Sequence, residues 1–143
     1  MTLPSAGAAL VAATALHLGF QLVVTVLVYP ALARVPADRW PVEHTQHSRR
    51  ITPVVGVVYG LLLVAGASVL VAGATADQVG SLLAAAAAMV VTAVVAAPLH
   101  SRLGRLDSAT SGPDPGLMRR LLVADRVRTA LAVLAALLAL AGN

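Results

Sequence analysis

Three imidazoles, a phenol, a carboxylate and a guanidinium stand out in a 143-residue chain rich in Ala, Val and Leu. His44 and His47 lie in the stretch Pro36-Ala37-Asp38-Arg39-Trp40-Pro41-Val42-Glu43-His44-Thr45-Gln46-His47-Ser48-Arg49-Arg50, and His100 follows Ala97-Pro98-Leu99. Asp38 is placed to cap a short helix starting near Pro41. On that helix Trp40, His44, His47 and Ile51, spaced 4, 3 and 4, share a face. Trp40 suits a membrane interface, where it would turn both imidazoles inward. With Glu43 or Asp125 as carboxylate partner, His44, His47 and His100 could hold one transition metal, iron, copper or zinc. The spacing is HxxH, not the HExxH of zinc proteases, so no metal signature is complete. The same rings could act as a general base or bond lipid headgroups.

The elements that must carry these residues are membrane helices. Hydrophobic residues make up 59% of the chain and charged residues 11%, against about 25% charged in soluble domains. Mean hydropathy is +0.88. A chain this small cannot bury so much apolar surface from water. Uncharged runs precede Arg34, separate Arg50 from Asp77 and Asp77 from Arg102, and follow Arg128. A spanning helix needs ~20 apolar residues, so helices are expected at roughly 6–32, 51–74, 80–99 and 121–141. The last run is short, which draws Asp125, Arg126 and Arg128 into the bilayer or its edge. The fold class is all-α: an integral membrane antiparallel four-helix bundle in a single domain, with a short interfacial helix between the first two spans. Continuous apolar runs exclude a strand barrel. The first segment is too long, and has no preceding Lys or Arg, for a cleaved signal peptide. Residues 108–116, rich in Ser, Gly and Pro, read as the one long loop.

All ten cationic residues are Arg, and they follow the first and third spans. The positive-inside rule places both connections in the cytoplasm and both termini outside, in a bacterial inner membrane. The pI of about 11.1 thus reports topology, and no nucleic-acid partner is expected. Arg without Lys fits a high-GC bacterial genome. Cysteine is absent, which excludes disulfides, thiolate metal sites and CxxC redox pairs. Gly56 and Gly60 form a GxxxG pair on the second span, followed by Gly66, and allow close helix approach or a homo-oligomer.

Polar groups inside membrane spans usually face an interior or a cavity. Thr14, His17, Gln21 and Thr25 make one helical stripe. Counted at 1.5 Å per residue from the cytoplasmic ends, Thr25, Tyr59, Thr92 and Arg128 lie roughly 9–12 Å deep and Gln21 about 15 Å. Four helices therefore contribute to one polar layer. His17, at about 20 Å by the same count, cannot join the imidazole cap. It has no histidine mate at matched depth, so haem is not expected. Asp125 and Arg128, three apart, can pair.

Three segments carry a family resemblance. Tyr29-Pro30-Ala31-Leu32, Ala97-Pro98-Leu99-His100-Ser101-Arg102-Leu103 and the Arg128-Thr129 step are similar, in order and spacing, to the anthrone-oxygenase-like family of small four-helix membrane proteins. The pattern Trp40…His44…His47…Arg50 is similar to a bacterial subgroup of that family. The family usually has Asn where this chain has His100, and a second Asn where it has Asp125. The resemblance implies the four-helix bundle and a polar site on its cytoplasmic side. Fungal members insert oxygen into polyketide anthrones with no required metal.

The expected function is a membrane-embedded enzyme, of redox or oxygenase type, acting on a lipophilic substrate. The substrate would enter sideways from the cytoplasmic leaflet to meet Gln21, Thr25, Trp40 and Arg50. Arg128 would bind an anionic or enolate oxygen and rest against Asp125, while Tyr59 would relay a proton. His44, His47 and His100 would act as base or hold the metal. The alternative is a non-catalytic lipid- or quinone-binding accessory protein whose His/Arg cap recognises headgroups or a partner. A transporter would need a polar path through the outer half, and none is visible beyond His17.

Overall fold

Four long helices make up most of the described residues, and local signals set where they begin. The structure, a computed structural model, describes residues 5–105 and 112–143, and no strand occurs among them. The first helix, α1 (Ala6–Leu32), starts where the Ser5 hydroxyl accepts the Ala8 N–H at 3.2 Å, satisfying one orphan donor of the first turn. A 3₁₀ turn over Ala37–Arg39 leads into α2 (Trp40–Ala72), with Pro41 in its first turn. The helix ends at Gly73, whose φ of 93° is left-handed, a conformation that favours glycine. The third helix, α3 (Ala76–Arg105), opens with a capping box in which Thr75 Oγ1 accepts from Gln78 N and Gln78 Oε1 accepts from Thr75 N. The fourth, α4 (Pro115–Ala141), starts where the Asp114 carboxylate accepts from Leu117 N at 2.7 Å.

These signals correct the expected boundaries. The separate interfacial helix is the first three turns of a continuous α2, because nothing between Pro41 and Gly73 stops it and Pro53 is accommodated inside. Backbone hydrogen bonding is indifferent to the change from polar to apolar side chains at Arg50. Asp38 does not cap α2, which has no side-chain cap. The third helix starts at Ala76, not residue 80, and the fourth at Pro115, not 121. Residues 106–111, most of the expected 108–116 loop, lie outside the described residues.

Both α1 and α3 widen to one π-helical turn, at Val24–Val28 and Thr92–Ala96. Each π segment ends two residues before a proline, Pro30 and Pro98. A proline inside a helix removes one N–H and crowds the carbonyl four residues back; the wider turn relieves that crowding.

Small residues fill the interior and larger apolar ones cover the outside. Ala88, Ala132 and Ala135 are fully buried, whereas Val26, Leu27, Val57, Leu63 and Val64 are exposed and Val71 is 90% exposed. Such a surface is foreign to a water-soluble monomer. Three helical segments, Ala6–Leu32, Ala37–Ala72 and Ala76–Arg105, are long and apolar enough to cross a membrane. Three core clusters link the helices. Leu10 packs with Val69 and Ala139, and Ala13 with Leu62, Ala65, Ala84, Ala85 and Ala135. Tyr29, Leu32, Trp40, Leu99, Leu103 and Leu121 form the core of the third. Ser81 donates to the Ala135 carbonyl at 2.8 Å and Gln78 to that of Gly142 at 3.1 Å, joining α3 to α4. A Cβ at Gly66 would meet Leu82, whereas one at Gly56 or Gly60 would meet nothing within 4 Å. Among the described residues the GxxxG pair therefore makes no close helix contact, with Gly56 exposed and Gly60 partly buried.

Candidate functional site

A cavity of about 560 Å³ opens where the first turns of α2 meet the π-widened segment and end of α3. Its apolar wall includes Phe20, Val24, Ile51, Val55, Ala96 and Ala97, and its polar lining includes Tyr29, His44, His47, Thr92, His100 and Arg128. Tyr29 stands immediately before Pro30 and His100 two residues after Pro98, so both are carried by turns just beyond the two π segments.

His100 is the hub of the imidazole group. Its Nε2 lies 3.2 Å from the Tyr29 hydroxyl and its Nδ1 lies 3.3 Å from His44 Nε2. The His44 and His47 rings lie 5.5 and 5.6 Å from the His100 ring, inclined at 31° and 30°. Trp40 backs the group, its ring 5.0 Å from His44 and its Nε1 donating to the Leu103 carbonyl at 3.2 Å. Gly104 makes room, since a Cβ there would lie 3.1 Å from His44 Cε1. A neutral imidazole carries one N–H and one acceptor nitrogen. The chain Tyr29–His100–His44 can therefore be filled with protons in either sense. Tyr29 donates to His100 and His100 to His44, or His44 donates to His100 and His100 to Tyr29. A group with two such settings can take a proton at one end and release one at the other.

The second part of the site is a buried charge held by an amide. Gln21, 0% exposed, donates through Nε2 to Asp125 Oδ1 at 2.6 Å and accepts from Arg128 Nη2 at 3.0 Å. Arg128 Nη2 and Asp125 Oδ1 are 3.6 Å apart, so the amide links them more closely than they meet directly. Asp125 and Arg128 are 2% and 5% exposed. The Arg128 Nε is buried with no hydrogen-bond partner among the described residues, and Arg128 lines the cavity. A guanidinium carries five N–H donors, so this one keeps capacity for an oxygen atom of a ligand.

The structure sorts the expected site residues into two groups. His44, His47, His100 and Arg128 line the cavity. Gln21 and Asp125 stand behind Arg128, and Thr25 bonds Thr129 at 2.8 Å and its own helix at the Gln21 carbonyl. Tyr59 bonds Thr92 at 2.6 Å and sets its ring against His17, outside the cavity lining. Within the expected polar layer Thr25 pairs with Thr129 and Tyr59 with Thr92, and Thr92 shares the cavity lining with Arg128. Trp40 is fully buried in the core, which corrects its assignment as an interfacial anchor and substrate contact. Arg50 is exposed and lines a different groove, with Glu43, Gln46 and His47. Glu43 pairs with Arg39 and Asp125 with Gln21, so neither carboxylate joins the imidazoles. Among the described residues no group of three or more His, Cys, Asp or Glu side chains is arranged to hold a metal ion. The iron, copper or zinc reading of His44, His47 and His100 gains no support from their geometry.

Two residues escaped the sequence reading. Tyr29 is buried against His100, and its only signal was the Tyr-Pro step. Gly104, at 104 on α3, gave none. Comparison with protein-family models, with characterised proteins and with solved structures finds no match for this chain.

Proposed function

We propose that the chain is an integral membrane enzyme that deprotonates a lipophilic phenol or enolisable ketone and directs its oxidation by dioxygen. The observation that carries this reading is the single cavity bearing a reversible Tyr29–His100–His44 proton chain, an incompletely bonded Arg128 guanidinium and an apolar wall. Tyr29 takes the substrate proton as its own passes to His100 and one from His100 passes to His44; Arg128 holds the enolate oxygen, and Gln21 and Asp125 keep Arg128 in place. The likeness of Tyr29-Pro30, Pro98-Leu99-His100 and Arg128-Thr129 to the anthrone-oxygenase-like family supplies the oxidant. Oxidation of a ring methylene to a carbonyl consumes one dioxygen, places one oxygen atom in the product and releases the other as water.

The antiparallel four-helix arrangement in an inner membrane belongs to the same proposal. It is supported by the three core clusters, by the outward Val and Leu surface, and by Arg confined to two connections. Gly56 and Gly60, where a Cβ would meet nothing within 4 Å, leave a smooth strip for a second copy.

The test is oxygen uptake by the protein in lipid nanodiscs, with anthrone as probe and with metal content measured on the same sample. Uptake with quinone formation, abolished in a His47→Ala/His100→Ala variant, supports the reading. Uptake that survives in that variant overturns it. Binding of the probe without turnover favours a lipid- or quinone-binding accessory protein, a reading that gains weight because Tyr59 and Asp125 do not line the cavity.

A further inference from the structure

A second groove, on the opposite side of α3, lies between α3 and α4 and has a volume of about 570 Å³. Its floor is valine: Val91, Val94 and Val95 from α3, Val123 and Val127 from α4. Its polar end is formed by Arg102 from α3 and by Arg119 and Arg120 from α4. Two helices thus bring three guanidinium groups to one mouth. None of the three has an ion-pair partner among the described residues, where the pairs are Arg39–Glu43 and Arg128–Asp125.

We infer that this groove is a binding site for an anionic phospholipid, its phosphate among Arg102, Arg119 and Arg120 and one acyl chain along the valines. The inference rests on the membrane placement proposed above. Length decides between a lipid and a free phosphate. From Arg102 to Val91 is eleven residues of α3, roughly 16 Å at the helical rise. That is about half of a ~30 Å hydrocarbon core, the depth of one leaflet. An inorganic anion would use the arginines and leave the valine channel unexplained. Charge decides the headgroup, because three positive charges with no ion-pair partner among the described residues disfavour a neutral or cationic one. Ser81–Ala135 and Gln78–Gly142 bonds join α3 to α4 further along, so the groove is held open by two helices already fixed to each other.

Native mass spectrometry of the detergent-purified protein tests the site, with phosphatidylglycerol and phosphatidylcholine added at equal concentration. One retained phosphatidylglycerol per chain, with phosphatidylcholine retained far less, is the expected result. A basic side chain near the headgroups strengthens binding roughly fivefold, so an Arg102→Gln/Arg119→Gln/Arg120→Gln variant should lose about a hundredfold. An Arg39→Gln variant, remote from the groove, should retain lipid as wild type does. Equal retention of both lipids, or unchanged retention in the triple variant, overturns the inference. So does release of the lipid by millimolar inorganic phosphate, since that would make the site one for a free anion. Fractionation separates the two proposals: protein absent from membranes refutes the membrane placement, whereas membrane protein without lipid preference refutes the groove alone.

Discussion

Replacing Asp125 by Asn removes the one carboxylate beside Arg128 among the described residues while keeping the side chain's shape. Arg128 is 5% exposed and Asp125 2%, so water cannot take over the lost charge. Removing one partner from a buried ion pair typically destabilises by about 3–5 kcal/mol, because the other charge is left uncompensated. Here the expected figure sits near the lower end, about 3 kcal/mol, since Gln21 still accepts from Arg128 and the direct ion pair is long at 3.6 Å. That is a factor of more than a hundred in the folding equilibrium and a large part of a typical total of about 5–15 kcal/mol. Asp125→Leu/Arg128→Met removes both charges and fills the same space, so most of the stability should return. The double variant should also lose probe affinity, because Arg128 is the guanidinium proposed to hold the enolate oxygen. Reversible unfolding in mixed detergent and SDS, measured for Asp125→Leu, Arg128→Met and the double, gives the coupling energy. A loss below about 1 kcal/mol in Asp125→Asn, or a double variant as unstable as the two single losses added, would refute the compensation argument.

Three further outcomes follow from the same geometry. Tyr29→Phe keeps the buried ring and removes one hydroxyl contact, so stability should fall by only about 0.5–1.5 kcal/mol; turnover of the probe should fall far more, and equal turnover would remove Tyr29 from the relay. Gly104→Ala pushes a methyl group to within 3.1 Å of His44 Cε1, and His44 is wedged between Trp40 and His100. Probe affinity should drop while the melting temperature changes little, which ligand titration and a thermal scan will read. Trp40→Ala empties a fully buried position and breaks the bond to the Leu103 carbonyl, so it should destabilise by about 3–5 kcal/mol in the SDS titration.

The resolved caps show why helix ends were harder to read than helix interiors. Hydropathy marks where a helix is apolar, and α2, α3 and α4 all begin in polar sequence. The signals that set those beginnings were present as Pro41, as Thr75 with Gln78, and as Asp114-Pro115. The last two are side-chain to backbone bonds, which a search for uncharged runs passes over.

Composition and spacing by themselves determined that the chain is helical and that its long segments are apolar enough to cross a membrane, and they offered His44, His47, His100, Tyr59, Asp125 and Arg128 as candidates for a site. Helical periodicity reports which residues share a face of one helix, as it did for Trp40, His44 and His47 and for Thr14, His17, Gln21 and Thr25. Only the tertiary structure decided which of the inward polar groups meet. Two prolines and the π turns before them carry Tyr29 to His100, and a crossing of α1 with α4 hands Asp125 and Arg128 to Gln21. The same packing seats Trp40 in the core and leaves Tyr59 beside His17. Depth along a helix axis is legible in a sequence; rotation about that axis, and the pairing across helices that follows from it, is fixed only when the side chains pack.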